Sequence, residues 1–186
     1  MPFDAPTPGT PADLQPDADP EQVARTILLR RLTAAPRSRA QLHEDLRKRG
    51  VPEDVCERVL DRFTDVGLID DDAYARMWVE SRHRSRGVAR PVLRQELRRK
   101  GIDGDTAEAA LEEIDAEDER LRAAELVRVK ARSLGRLEPQ ARVRRLVGML
   151  QRRGYSGSVA FSVVREVMDE GPEGNELPDE WVAPDQ

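Results

Sequence analysis

One ten-residue phrase is written three times in this chain: LHEDLRKRGV at 42–51, LRQELRRKGI at 93–102 and LVGMLQRRGY at 146–155. An internal repeat constrains the fold more than composition does, because each copy must be one unit that packs against its neighbours. Aligned on Gly50, Gly101 and Gly154, the copies stand 51 and 53 residues apart. Eight residues before each glycine come Leu42, Leu93 and Leu146, and four before come Leu46, Leu97 and Leu150. Directly after it come Val51, Ile102 and Tyr155. Nine after come Val59, Ala110 and Val163, ten after come Leu60, Leu111 and Val164, and thirteen after come Phe63, Ile114 and Val167.

Leucines four apart share one helical face. The glycine then stands where a helix ends, in the left-handed position that costs glycine little. The apolar residue behind it closes the cap, and positions nine, ten and thirteen form the buried stripe of a following helix. Ser38, Pro91 and Pro139 mark the starts of the middle helices. An amphipathic segment precedes each: Val23, Ala24, Ile27 and Leu28 in the first copy, Tyr74, Ala75, Trp78 and Val79 in the second, Leu121, Leu126, Val127 and Val129 in the third. The expectation is an all-α protein of three tandem three-helix repeats forming an elongated, curved array. Its nine helices are predicted near 21–33, 39–49, 53–66, 71–85, 90–100, 105–115, 117–133, 139–153 and 157–169. The predicted modules are 21–66, 67–115 and 116–169, flanked by disordered acidic tails at 1–20, rich in proline, and 170–186, which holds Trp181.

Aromatics are only 4% of the 186 residues, and no long β-branched run marks a strand. No apolar run approaches the roughly 18 residues of a membrane span. No basic-then-apolar signal segment opens the chain, and Cys56 has no partner for a disulfide, so a cytoplasmic place is expected.

The net charge of −5 conceals a strong division. Residues 1–22 carry five acids and 169–186 carry seven, with no Lys or Arg in either. The body between holds all 31 basic residues against 24 acids. Its most cationic stretch is 82–100, with eight bases and the single acid Glu96. There Arg90, Arg94 and Arg98 form a ladder four apart, joined by Arg82, Arg84, Arg86, Arg99 and Lys100. The corresponding places are Arg39, His43 and Arg47 in the first copy, and Val143, Val147 and Gln151 in the third. Residues 120–153 add eleven bases against two acids, among them Arg142, Arg145, Arg152 and Arg153. Arginine's planar fork suits phosphate and carboxylate, so these residues are candidates for docking a polyanion or an acidic protein face. Asp70, Asp71 and Asp72 exceed what one helix cap needs. Asp70 and Asp71 therefore join the candidates, as contacts to a basic partner. Tyr74 and Trp78 read as core.

No Gly-rich phosphate loop, nucleophile–histidine set or metal-ligand set is legible, since His43 and His83 stand apart in the sequence. No catalytic, cofactor-binding or metal residue is expected, and the chain reads as a non-enzyme that works by docking.

The stretch GLIDDDAYARMWVESRHRSRGVARPVLRQELRRKGID, 67–103, resembles the central motif of the RecX regulatory proteins. The likeness extends more loosely over 21–169. It implies a monomeric modulator that lies on the RecA nucleoprotein filament, in its groove or at its end, and inhibits recombinase and ATPase activity. The candidate residues above would then meet RecA, with direct contact to single- or double-stranded DNA through the basic body as a further route, and with no cofactor and no membrane. A different class would be a helix-turn-helix regulator acting directly on DNA, which needs one base-reading helix and usually a twofold dimer. A third is a helical scaffold with no nucleic-acid role.

Overall fold

The computed structural model describes residues 19–170. Among these there are nine helices and no strand: α1 (Pro20–Ala34), α2 (Arg39–Arg47), α3 (Glu53–Asp65), α4 (Asp71–Arg86), α5 (Arg90–Arg99), α6 (Gly104–Glu112), α7 (Ala116–Arg132), α8 (Pro139–Gln151) and α9 (Gly157–Asp169). The expected tails lie outside the described residues, Trp181 included, except at three positions. Asp19 accepts a hydrogen bond from the Glu21 amide to cap α1, Pro20 opens that helix, and Glu170 closes α9.

The repeated phrase ends its helix the same way each time. Gly50, Gly101 and Gly154 have φ of 74°, 75° and 95°. The glycine amide donates to the carbonyl three residues back (Arg47, Arg98, Gln151), and the next amide reaches five back, to Leu46, Leu97 and Leu150. This double bond pattern satisfies carbonyls that a helix end leaves bare. It also ends α2 at Arg47 and α5 at Arg99, short of the predicted 49 and 100. The six leucines four and eight before the glycines are fully buried. Each such burial contributes about 1.5–3 kcal/mol.

Two compact units are present, 19–75 with 97–107 and 76–96 with 108–170, so the boundary runs through the second repeat. The first unit is built on Ala24, Leu28, Leu42, Leu46, Val59 and Leu60. The second is built on Ala123, Val127, Leu146, Leu150, Val163 and Val164. One expected stripe is corrected. In α7, Leu121 and Val129 are 54% and 68% exposed; Val127 is buried and Leu126 packs on the core as expected, and Ala123 and Ala124 take the remaining core-facing places. A helix needs one continuous side for burial, and positions 123, 124 and 127 lie on a side that excludes 121 and 129.

Each unit contains one joint between successive copies. In the first unit, the buried Ser38 hydroxyl donates to the Lys100 carbonyl at 2.6 Å. The Arg39 amide, first in α2, donates to Asp71 Oδ1 at 2.8 Å. In the second, the Ala89 amide donates to the Arg153 carbonyl at 2.9 Å. The Arg90 amide, first in α5, donates to Glu119 Oε1 at 2.7 Å. Gly101 and Gly154 are seated against the preceding copy: a Cβ on them would stand 2.2 Å from Ala40 Cβ and 2.6 Å from Val92 Cγ2.

Candidate docking surface

The arginine ladder of α5 is a seam before it is a surface. Arg94 makes a two-pronged pair with Glu108 of α6, one prong at 2.8 Å. That hydrogen bond holds the Glu108 carboxyl below its usual range and raises the Arg94 guanidinium further. Arg90 is half-buried and uses its backbone amide on Glu119. Arg98 and Arg99 are exposed and make no ion pair with other described residues. Lys100 is half-buried, with its ammonium 5.9 Å from the Tyr74 ring centroid.

Arg82 is taken up inside the second unit. Its Nε donates to Glu96 Oε2 at 2.8 Å, the Trp78 indole donates to the same oxygen at 2.9 Å, and the guanidinium stacks over the Trp78 ring. The single acid of the 82–100 stretch thus binds a ring and a guanidinium together, and Trp78 is half-exposed while Tyr74 is buried, as a core residue should be. Arg84 pairs with Glu80 one turn back at 2.6 Å. Arg153 donates to the Arg86 carbonyl at 3.0 Å and to the Met149 carbonyl at 3.3 Å. Arg142 reaches the Gly135 and Leu137 carbonyls, each at 3.4 Å. These last two guanidinia cap backbone rather than face a partner.

The acidic candidates are also engaged. Asp70 accepts from the Ala73 amide at 2.8 Å and caps α4. Asp71 caps α2 across the joint, and desolvation pushes its carboxyl up, opposed by the Arg39 amide and guanidinium. Asp70 and Asp72 are exposed, and Asp71 is half-buried.

Apart from Arg98 and Arg99 of the first unit, the outward-facing basic candidates collect in the second unit. Lys130, Arg144, Arg145 and Arg152 line a groove of about 620 Å³ between α7 and α8, with no acid on its walls. Arg152 also borders an adjacent groove of about 470 Å³ with Arg82, Arg86, Arg153 and the occupied Glu96. Arg86, Arg145 and Arg152 are exposed and form no ion pair with other described residues. The structure therefore brings Arg86 and Arg152 to one groove and joins Arg145 to it through Arg152. Lys130 and Arg144 complete this surface, and only the block of eleven bases signalled them in the sequence.

Four partners were not legible: Glu108 in the seam, Glu119 at the joint, and Glu53 and Glu57, which close on His43 at 2.7 and 3.4 Å. The signal was present seven residues after each glycine. Glu57, Glu108 and Phe161 there match His43, Arg94 and Val147 seven before, in polar or apolar kind. Burial pushes the Cys56 thiol up and the Tyr155 phenol up to about 12, the opposite of the depressed titration of an activated nucleophile. Among the described residues no helix is long and apolar enough to cross a membrane.

Three family models match in order: the first, second and third three-helix domains of RecX, at 24–63, 70–111 and 117–164. Each matched segment contains one cap glycine. Curated relatives named regulatory protein RecX align over most of the chain. That of Streptomyces coelicolor is 48% identical over 162 residues, covering 87% of this chain and 86% of the relative. That of Mycobacterium marinum is 53% identical over 145 residues, 77% and 84% of the two chains. The chain belongs to the RecX family. Solved RecX structures share the fold: that from Lactobacillus salivarius has a TM-score of 0.72 at 21% identity, covering 80% of this chain and 97% of its own. A second RecX crystal structure has a TM-score of 0.69 at 25% identity, covering 80% and 72%. The all-α, three-helix repeats expected from the spacing of the glycines are thus the RecX domains.

Proposed function

We propose that this RecX-family chain binds the RecA nucleoprotein filament, in its groove or at its end, and inhibits the recombinase and its ATPase without catalysing a reaction. The observation that carries the reading is the acid-free groove of Lys130, Arg144, Arg145 and Arg152 on a member of a regulatory family. An unpaired guanidinium on such a wall meets carboxylate or phosphate with two parallel hydrogen bonds. Arg98 and Arg99 supply further cations on the last turn of α5. Arg94 belongs to the seam with Glu108 and contributes less to docking than its place in the ladder suggests. A RecA filament as partner also implies a cytoplasmic place for this chain, acting as a monomer without cofactor.

The test is the DNA-dependent ATPase of RecA with increasing amounts of this chain. The wild type suppresses it at stoichiometric amounts. Arg86→Ala, Arg145→Ala and Arg152→Ala combined require at least roughly tenfold more protein, because losing about 1.4 kcal/mol of charge-assisted bonding costs that factor. An ATPase untouched by the wild type refutes the reading.

A further inference from the structure

The three copies allow the seam between middle and last helix to be compared place by place. In the second module, Arg94 pairs with Glu108, Arg90 and Glu112 hold the places of Arg39 and Asp61 in the repeat, and Gly104 is neutral three after the cap glycine, so charge is balanced. In the third, Val147 and Phe161 make the same places apolar and pack on the core. The first module breaks this balance. Arg39 pairs with Glu57 and Asp61, no ion pair from a Lys or Arg reaches Glu53 among the described residues, and the central place is His43, so acids outnumber bases around an imidazole. Arg47, the next cation along, is taken by Glu44 at 2.9 Å.

The geometry around that imidazole is specific. His43 Nε2 stands 2.7 Å from Glu53 Oε1 and 3.4 Å from Glu57 Oε1, and the ligand-type atoms of the three residues lie within 4.8 Å of one another. Arg39 holds the other oxygen of Glu57, Oε2, at 2.6 Å, and reaches Asp61 at 2.9 Å. The guanidinium therefore grips the outer side of Glu57 and leaves its free oxygen turned to the imidazole. A hydrogen-bonded outer oxygen is how ligating carboxylates are commonly held.

We propose that His43, Glu53 and Glu57 form a site for a divalent first-row transition cation, zinc foremost. One imidazole nitrogen with two carboxylate oxygens suits zinc better than calcium or magnesium, which take oxygen alone. Zinc bonds of about 2.0–2.2 Å in tetrahedral array set ligand atoms about 3.3–3.5 Å apart. The His43–Glu57 separation is already 3.4 Å, and the exposed Glu53 side chain opens from 2.7 Å by a change of rotamer. A bound dication cancels the excess charge and ties α2 to α3, as the Arg94–Glu108 pair ties α5 to α6.

Calorimetric titration of the full chain with zinc tests this. One saturable equivalent is expected, weakened at least roughly tenfold by His43→Ala and by Glu57→Gln, with circular dichroism confirming the folded state of each. His83→Ala, which removes the other histidine, leaves the affinity unchanged. As a second readout, zinc raises the thermal midpoint of the wild type and not that of His43→Ala. Equal zinc affinity in wild type and His43→Ala overturns the assignment, as does only weak, non-saturating uptake common to both, of the kind the acidic chain ends would give.

Discussion

The two joints perform one task with different chemistry. Ser38 and Ala89 stand twelve before their cap glycines, and each satisfies the carbonyl just before the next cap glycine, that of Lys100 or Arg153. The first does so with a side-chain hydroxyl, the second with its backbone amide. The first amide of the middle helix is bound by a carboxylate at both joints, Asp71 at one and Glu119 at the other. The glycine sits on Ala40 in the first and on Val92 in the second. The repeated quantity is thus the backbone position to be satisfied. The donor that satisfies it is free to vary, and only the first joint can be broken by trimming a hydroxyl.

The glycines offer the strongest way to break the comparison. A Cβ at Gly50 meets nothing within 4 Å, whereas one at Gly101 or Gly154 collides with the neighbouring copy. Gly50→Ala carries the left-handed backbone cost alone, about 1 kcal/mol. Gly101→Ala and Gly154→Ala add overpacking of about 1–3 kcal/mol. Urea unfolding checks the order; equal losses at all three positions would show that the joints yield without cost.

Ser38→Ala is the next largest. It removes the α2 capping box with Gln41 and leaves the Lys100 carbonyl without its donor, for a loss of about 2 kcal/mol in thermal or urea unfolding. Ala89→Ser changes stability far less, since the amide at that joint remains. Comparable losses at the two positions would refute the division between side-chain and main-chain donors.

The smallest effect sharpens the carboxylate half of the joint. Burial raises the Asp71 carboxyl, so its ionised form is disfavoured in the fold. That penalty is present above the raised folded value and is relieved as pH falls through it toward the ordinary carboxylate range. Asp71→Asn keeps an oxygen for the Arg39 amide and never ionises. Its stability relative to wild type is therefore highest at neutral pH and declines on acidification, as read by thermal midpoints across that range. A wild type that gains on the variant as pH rises would mean that the α2 dipole and the Arg39 contacts outweigh desolvation.

Much of the fold was legible because its signals are local. The cap glycines, the leucines four and eight before them and the prolines at helix starts depend on spacing within one helix, and each stands where expected. Leu121 and Val129 misled because α7 has apolar residues on more than one side, and only the neighbours decide which side is covered. The candidate site was legible as a charge excess and not as a contact list. Arg94, Arg82 and Asp71 look alike on paper to Arg98, Arg86 and Asp72, yet the former three are engaged and the latter three face outward.

By itself, then, the sequence determined how many three-helix repeats there are, which glycine closes each middle helix and which of the repeated leucines are buried, because turn chemistry and helical period act over a few residues. Tertiary structure alone decided which guanidinia are used in seams and caps, which carboxylate closes each joint, and that His43 meets Glu53 and Glu57. Those pairings depend on the distance between separate helices, to which a periodicity read along the chain is blind.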